Sequence, residues 1–337
     1  LHRRTQRHYS DAEIADTKVK AEVLAADVEA EGAVLVRNND NTLPLAADNK
    51  KINVFGWAST AWLSGDSGSG GVSGVNTDLL AALTAYGVAY NTELTDMYKD
   101  FQDGREYTRT LSAWPEQSGR LYEPDINNQT YYTQSMLDNA KNFSDTADAC
   151  LIAGLSGSEG ATAVPEVLWS DREPSGRTAD TWAYDLTTAA SYANAGMEGV
   201  GKYSAADGLY PADGTTNGNL DTPYTYEQVS YADYAEGIYI GYKWYETADA
   251  EGYWDAESNE HGTGYDAVVQ YPFGYGLSYT SFDWKVTDAS ANGATLTKDG
   301  DVTVKVTVTN TGDRAGKDVV QLYYTAPYIA GEIEKSS

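Results

Sequence analysis

The chain has 337 residues, enough for about two domains and for a core that needs no disulfide or metal to hold it. Lys and Arg total 23 against 50 Asp and Glu, a net charge of −27, which repels phosphate and so excludes nucleic acid and anionic membranes as partners. A hydrophobic fraction of 41% is too high for a disordered acidic chain, and no apolar run reaches the ~18 residues of a membrane span.

In chain order, residues 11–32 read as an amphipathic helix. Ser10 is its N-cap, and Ala12, Ala15, Val19, Val23, Ala26 and Ala30 form the inward stripe. Ala33 to Val36 is a short strand, and Asn38 to Asn41 a turn cluster. Ile52 to Gly56 is a buried strand, followed by a Gly/Ser loop over 56–76. Leu79, Leu80, Leu83 and Tyr86 mark a helix ended by Gly87, and Val88 to Tyr90 a strand. Residues 103–128 are polar and irregular. A helix follows over Tyr131 to Phe143, with Met136, Leu137 and Ala140 inward, then a second buried strand over Ala149 to Gly154 and a short helix over Ala161 to Leu168. Residues 184–235 have weak periodicity and read as loop. Val302, Val304, Val306 and Val308 alternate with polar residues, and Val319, Val320, Leu322 and Tyr324 supply their partner strand. The expected fold class is α/β: a shortened, mainly parallel sheet sandwiched by helices, then a small, incomplete antiparallel β-sandwich. The expected domains are 1–235, a connecting segment 236–280, and 281–337.

Four motifs touch on chemistry. Gly65-Asp66-Ser67-Gly68 has the form of a serine nucleophile loop, but the histidines upstream of it, His2 and His8, sit at the extreme N-terminus with no strand framework around them. Gly68 to Gly74 lies between a strand and a helix without dinucleotide spacing, so it reads as a ligand-lining loop rather than a phosphate cradle. Ser158-Glu159-Gly160 sets a carboxylate just past a strand end, where α/β folds place ligands. Glu159 suits the acid role in glycoside cleavage, which needs two carboxyls, and equally suits a helix N-terminal glutamate favoured by the macrodipole. Asn128-Gln129-Thr130 and Asn142-Phe143-Ser144 match the glycosylation pattern but carry no weight without a signal peptide. The three histidines, His2, His8 and His261, are too scattered for a metal site, and no cofactor is expected. Cys150 is the only cysteine, so no intrachain disulfide forms. Tyr (27) and Trp (8) far outnumber Phe (5), and such amphipathic rings suit sugar faces as well as wet loops.

Several ordered segments resemble glycoside hydrolase family three, the β-glucosidase-type enzymes. These are Ala30 to Asn38 with Leu43-Pro44-Leu45, Lys51 to Gly56, the Ser67 to Ser73 loop, Glu173-Pro174-Ser175-Gly176-Arg177, Glu236 to Tyr245, Pro272 to Thr280, Thr307 to Gly316 and Gln321-Leu322-Tyr323. Together they span about residues 20–328. The resemblance implies an α/β sandwich followed by a fibronectin-type-III-like module. It also implies a parent activity, retaining hydrolysis of β-glucosides, with a nucleophile aspartate from a barrel and an acid/base glutamate from the α/β part.

Departures from the family pattern shape the expectation. No (β/α)₈ barrel and no Ser-Asp-Trp nucleophile segment occur here. Asn142 to Ala147 runs straight into Asp148-Ala149-Cys150-Leu151, which reads as a deletion of the acid/base loop. On that reading no catalytic residue is assigned and Glu159 lies in a later, non-catalytic loop; the alternative keeps Glu159 as the acid/base. The expected substrate contacts are Trp57 and Trp62, stacking on a pyranose ring, with Asp66, Ser67 and Ser69 hydrogen-bonding to it. The expected partner is a β-glucoside-like carbohydrate, with the chain either inactive alone, completed by a separate barrel chain, or self-associating. The β-module ends abruptly after Thr325-Ala326-Pro327, which reads as shortening. The basic N-terminus lacks the apolar stretch of a signal peptide, so the expected location is cytoplasmic unless a leader has already been removed.

Overall fold

The computed structural model describes residues 9–65, 76–103, 124–125, 127–141, 149–153, 156–192, 201–202, 230–231, 236–290, 293, 297 and 300–324. The chain divides into two compact units, Leu1–Arg177 with Gly276–Val319 and Thr178–Tyr275 with Val320–Ser337.

The first unit opens with α1, Asp11–Gly32, started by a reciprocal cap. Ser10 Oγ accepts from the Glu13 amide at 3.2 Å, and Glu13 Oε2 accepts from the Ser10 amide at 2.8 Å. Of the expected inward stripe only Ala26 and Ala30 are buried, and Val19 and Val23 are more than half exposed. Only the last turns of α1 pack, Ala30 lying against Ala163 and Val167 of α5, Ala163–Leu168. Periodicity marked the helix, but burial requires a neighbour.

Strand β1, Val34–Asn38, carries three consecutive buried residues, Val34, Leu35 and Val36. Such a run is covered on both faces. The 3₁₀ turn Asn39–Asn41 follows, with Asp40 and Asn41 at φ 50° and 54°. Asn38 clamps it: its Nδ2 donates to the Leu43 carbonyl and its Oδ1 accepts from the Leu43 amide, both at 2.8 Å.

β2, Lys51–Ile52, and β3, Ala89–Tyr90, pair in parallel across α2, Leu79–Ala85. Asp78 caps α2 through the Ala81 amide at 2.7 Å, and Gly87 ends it at φ 83°. Val54, Leu80, Leu83, Val88 and Trp169 form the core around this crossover. A helix absent from the expectation follows: α3, Thr92–Gln102, capped by Asn91. Its Leu94, Tyr98 and Phe101 sit at i, i+4 and i+7, a helical stripe half hidden by the threonines and aspartates between them. The Tyr98 and Tyr132 hydroxyls hydrogen-bond at 2.6 Å, and both rings pack with Leu94, Met136 and Ala140. The last two belong to α4, Gln134–Lys141.

β4, Ala149–Ile152, pairs with β1 in antiparallel register, Val34 opposite Ile152 and Asn38 opposite Ala149. The mainly parallel sheet is therefore not what the described residues form. They hold two-stranded pairs, of which only β2–β3 is parallel, within a mixed α/β architecture that has no closed barrel among the described residues. Strand–helix alternation sets direction only for strands joined by a short crossover. β1 and β4 are separated by residues 39–148, so the path between them decides.

Two glycine segments cross β1. The Gly176 amide donates to the Ala33 carbonyl at 3.1 Å, and the Leu277 amide to the Leu35 carbonyl at 2.7 Å. A Cβ on Gly176 would stand 2.5 Å from the Gly32 carbonyl oxygen, and one on Gly276 would collide with that of Gly176. Only glycine permits this approach. The Glu173 carboxylate then accepts from the Ser278 hydroxyl and the Tyr279 amide.

β11, Phe282–Ala289, and β12, Val304–Asn310, form an antiparallel pair with Trp284 opposite Val308 and Val286 opposite Val306. The valine strand thus finds its partner upstream, not at 319–324 as expected. Residues 319–324 are irregular, with Val319, Val320, Leu322 and Tyr324 exposed. Just before that stretch stands a buried charge. Asp318 pairs with Arg177 at 2.7 Å, their side chains 14% and 13% exposed. Asp318 also accepts from Trp284 Nε1 at 2.8 Å and the Val319 amide at 2.9 Å. Burial works to raise its carboxyl, but these donors hold it below the usual aspartate range.

In the second unit, β5, Trp182–Ala183, pairs antiparallel with β10, Val269–Tyr271. Helix α6, Tyr242–Ala250, the hairpin β8–β9, Ser258–Asn259 with Gly262–Thr263, and the short helix α7, Tyr265–Val268, complete its core elements. A further pair, β6 Gly201–Lys202 with β7 Ser230–Tyr231, belongs to the same unit. Tyr245, Ala248, Trp254, Val268 and Val269 are its buried centre. Thr178 Oγ1 donates to the Pro272 carbonyl at 2.6 Å and accepts from the Tyr275 amide at 2.9 Å, closing the 272–275 turn. No described helix in either unit is long and apolar enough to cross a membrane.

Two expectations follow. Gly176→Ala must displace backbone at β1 and will lower stability by roughly 1–3 kcal/mol, read as a drop in the urea midpoint. Asp318→Asn will cost about 1–3 kcal/mol at neutral pH through lost charge-assisted bonds. Because the folded carboxyl titrates below its unfolded value of about 3.9, the native advantage is complete above that pH and fades as the pH falls through the lower folded value. Denaturant melts of both proteins across that range will show the curves converging in acid.

Candidate functional site

Three loops of the first unit meet beyond the strand ends. The first leaves β2 at Gly56, whose φ of 89° turns the chain into a 3₁₀ turn at Trp57–Ser59. The second leads into α2 and the third follows β4. Trp62 Nε1 donates to Ser156 Oγ at 2.7 Å, and the Gly157 amide to the Ser64 carbonyl at 2.6 Å, joining the first loop to the third. The Thr77 amide donates to the Ser158 carbonyl at 2.8 Å, and the Thr77 hydroxyl to Glu159 Oε2 at 2.7 Å, joining the second to the third. Ser64 and Ser156 are buried.

The expected contact residues separate here. Trp62 and Glu159 stand in this loop cluster. Trp57 packs instead on the α3–α4 core with Leu94, Tyr98 and Met136, and its carbonyl accepts from Gln102 Nε2 at 2.8 Å. Its half-buried ring anchors the loop. Asp66, Ser67 and Ser69 lie outside the described residues. Glu159 precedes the 3₁₀ turn Gly160–Thr162 but makes no side-chain cap bond to it. Its carboxylate accepts from Thr77, a bond that fixes its rotamer and leaves further lone pairs for a ligand.

Two residues of the cluster had no sequence signal. Glu29, in the last turn of α1, reaches the third loop: a Cβ on Gly160 would lie 3.1 Å from Glu29 Cβ and 3.2 Å from its Cγ. Half-buried, with Oε1 lacking a hydrogen-bond partner among the described residues, its carboxyl is pushed up by desolvation. Asn76 likewise holds a buried Oδ1, unpartnered among the described residues, beside Thr77. On a one-dimensional reading Glu29 is an exposed helix charge. Only the packing of α1 on the third loop reveals it. Indole, hydroxyl, amide and carboxyl groups gathered at strand ends suit a neutral, hydroxyl-rich ligand. Among the described residues no group of three or more His, Cys, Asp or Glu is arranged to hold a metal ion.

Comparison with known proteins agrees with the segments quoted from the sequence. Residues 127–242 match the model of the glycosyl hydrolase family 3 C-terminal domain. Beta-glucosidase A of Butyrivibrio fibrisolvens is 33% identical over 54% of this chain and 18% of its own length. A beta-glucosidase of Ruminococcus albus is 29% identical over 90% of this chain and 32% of its own. The solved structure of beta-glucosidase 3B from Thermotoga neapolitana, in complex with alpha-D-glucose, superposes with a TM-score of 0.61 at 23% identity, over 97% of this chain and 46% of that one. The chain thus spans less than half the length of these relatives. Residues 127–242 are thus similar to the glycosyl hydrolase family 3 C-terminal domain, and the chain resembles part of these β-glucosidases.

Proposed function

We propose that this chain is the non-catalytic, sugar-facing part of a retaining β-glucoside hydrolase. The observation that carries the reading is the convergence of Trp62, Thr77, Ser156 and Glu159 from three loops at one set of strand ends. Retaining cleavage needs two carboxyls about 5 Å apart, one protonating the leaving oxygen and one attacking the anomeric carbon. Glu159, tied to Thr77, has no such partner proposed within the chain; the nucleophile belongs to a barrel that these residues do not contain. In this scheme the indole of Trp62 covers a pyranose face, while Asp66, Ser67 and Ser69 hydrogen-bond the sugar rim. Trp57 supports the loop from below. The finer architecture proposed with it is a shortened α/β sandwich over 1–235, a connector over 236–280 and an incomplete fibronectin-type-III-like module over 281–337, completed by a barrel chain or by self-association.

Three outcomes are expected. The purified chain will release no chromophore from a p-nitrophenyl β-glucoside above the buffer rate; turnover that disappears in Glu159→Gln would replace this reading with a stand-alone hydrolase. Titration with cellobiose will change tryptophan fluorescence, and Trp62→Ala will remove most of that change, at a cost of about 1–3 kcal/mol because the buried Ser156 hydroxyl loses its partner. Trp57→Ala will act mainly on stability, at about 2–4 kcal/mol, because its ring packs on the α3–α4 core.

A further inference from the structure

Trp182 of strand β5 and Tyr184, which follows the strand's end at Ala183, are two exposed aromatic residues of the second unit. Ala183 packs inward against the cluster of Tyr245, Trp254 and Val269, and Trp182 and Tyr184 flank it in the chain. They are 46% and 41% exposed. Two positions of extended chain separate Cα atoms by at most about 7 Å, comparable to one pyranose unit.

The Tyr184 ring is held in place. The His261 imidazole, on the turn between β8 and β9, stacks on it at 3.7 Å between centroids and 6° between planes. The turn is itself fixed by the His261 amide, which donates to Asn259 Oδ1 at 2.9 Å. The Tyr184 amide donates to the Val268 carbonyl at 3.0 Å, which locks the backbone beneath. With one ring face covered by His261, the exposure of Tyr184 belongs to the opposite face and the rim. Carboxylates neighbour these residues in the chain: Asp185 follows Tyr184 and accepts from the Thr187 amide at 2.8 Å, and Glu260, 87% exposed, lies 3.8 Å from His261 Nε2.

From this placement we infer that Trp182 and Tyr184 form a second carbohydrate platform, on which the flat C–H faces of a β-linked gluco-oligosaccharide stack while Asp185 and Glu260 accept bonds from its hydroxyls. The platform draws on no residue of the loop cluster in the first unit. Preordered rings favour stacking because little rotamer freedom is lost on binding. Acidic neighbours suit hydroxyl donors and repel phosphate or anionic surfaces. They also disfavour a second copy of this chain as the occupant, since each copy brings a net charge of −27.

The test is titration of the full chain with cellohexaose, followed by calorimetry and tryptophan fluorescence. Trp182→Ala and Tyr184→Ala are expected each to weaken binding about tenfold, equal to about 1.4 kcal/mol, with Trp182→Phe restoring most of it. Trp62→Ala is expected to remove only the loop-cluster share of the signal, leaving the part that Trp182→Ala and Tyr184→Ala abolish. His261→Ala, a positioning change, is expected to weaken binding while His261→Phe recovers it, with the thermal midpoint unchanged in both. Absence of binding at millimolar cellohexaose, or binding indifferent to Trp182→Ala and Tyr184→Ala, overturns the proposal. So does a result in which these substitutions alter only the sedimentation of a self-associated species.

Discussion

The first unit depends on backbone packed against backbone at β1. Gly176 and Gly276 come so close to the carbonyls of Gly32, Ala33 and Gly176 that no side chain fits between them. The hydrogen bonds Gly176 to Ala33 and Leu277 to Leu35 then tie distant parts of the sequence to one short strand. Everything else in that unit is placed from there: the last turns of α1 on one side, β4 on another, and the Glu173 carboxylate holding the start of the β11–β12 segment. A strand of five residues is a weak element alone, and burial of Val34, Leu35 and Val36 is what makes it the centre.

Charge works within this frame rather than against it. A chain with twice as many acidic as basic residues has few cations to spend, and two of its arginines are placed at seams. Arg177 meets Asp318 with both side chains mostly buried, and Arg172 bridges Asp27 and Glu166. The hydrogen bonds from Trp284 and the Val319 amide satisfy the remaining lone pairs of Asp318, without which a buried carboxylate would destabilise the unit. The exposed carboxylates elsewhere keep like-charged ligands away, and both proposed sugar surfaces lie in that acidic field.

How much of this was legible residue by residue varies with the physics. The Ser10 N-cap of α1, the end of α2 at Gly87, and α4 with Met136 and Ala140 inward are local signals, and they appear where expected. α3 was not, because its apolar stripe of Leu94, Tyr98 and Phe101 is interleaved with polar residues. Glu159 was recognisable as a candidate from its position after a strand end and Trp62 through the family resemblance of its loop, but their bonds to Thr77 and Ser156 span 82 and 94 positions and leave no local trace. Glu29 left none at all.

The amino-acid order by itself determined the net charge, the bounds of α1, the family resemblance and the aromatic character, since each rests on composition or on neighbours a few residues apart. Tertiary structure alone decided that β4 runs antiparallel to β1, that the valine strand pairs upstream with Phe282–Ala289, that Trp57 supports the loop while Trp62 bonds into the polar cluster, and that Ala183 packs inward while Trp182 and Tyr184 stay exposed. Strand direction and burial depend on which surfaces meet after the chain has folded, and a period of two or 3.6 residues carries no record of the partner.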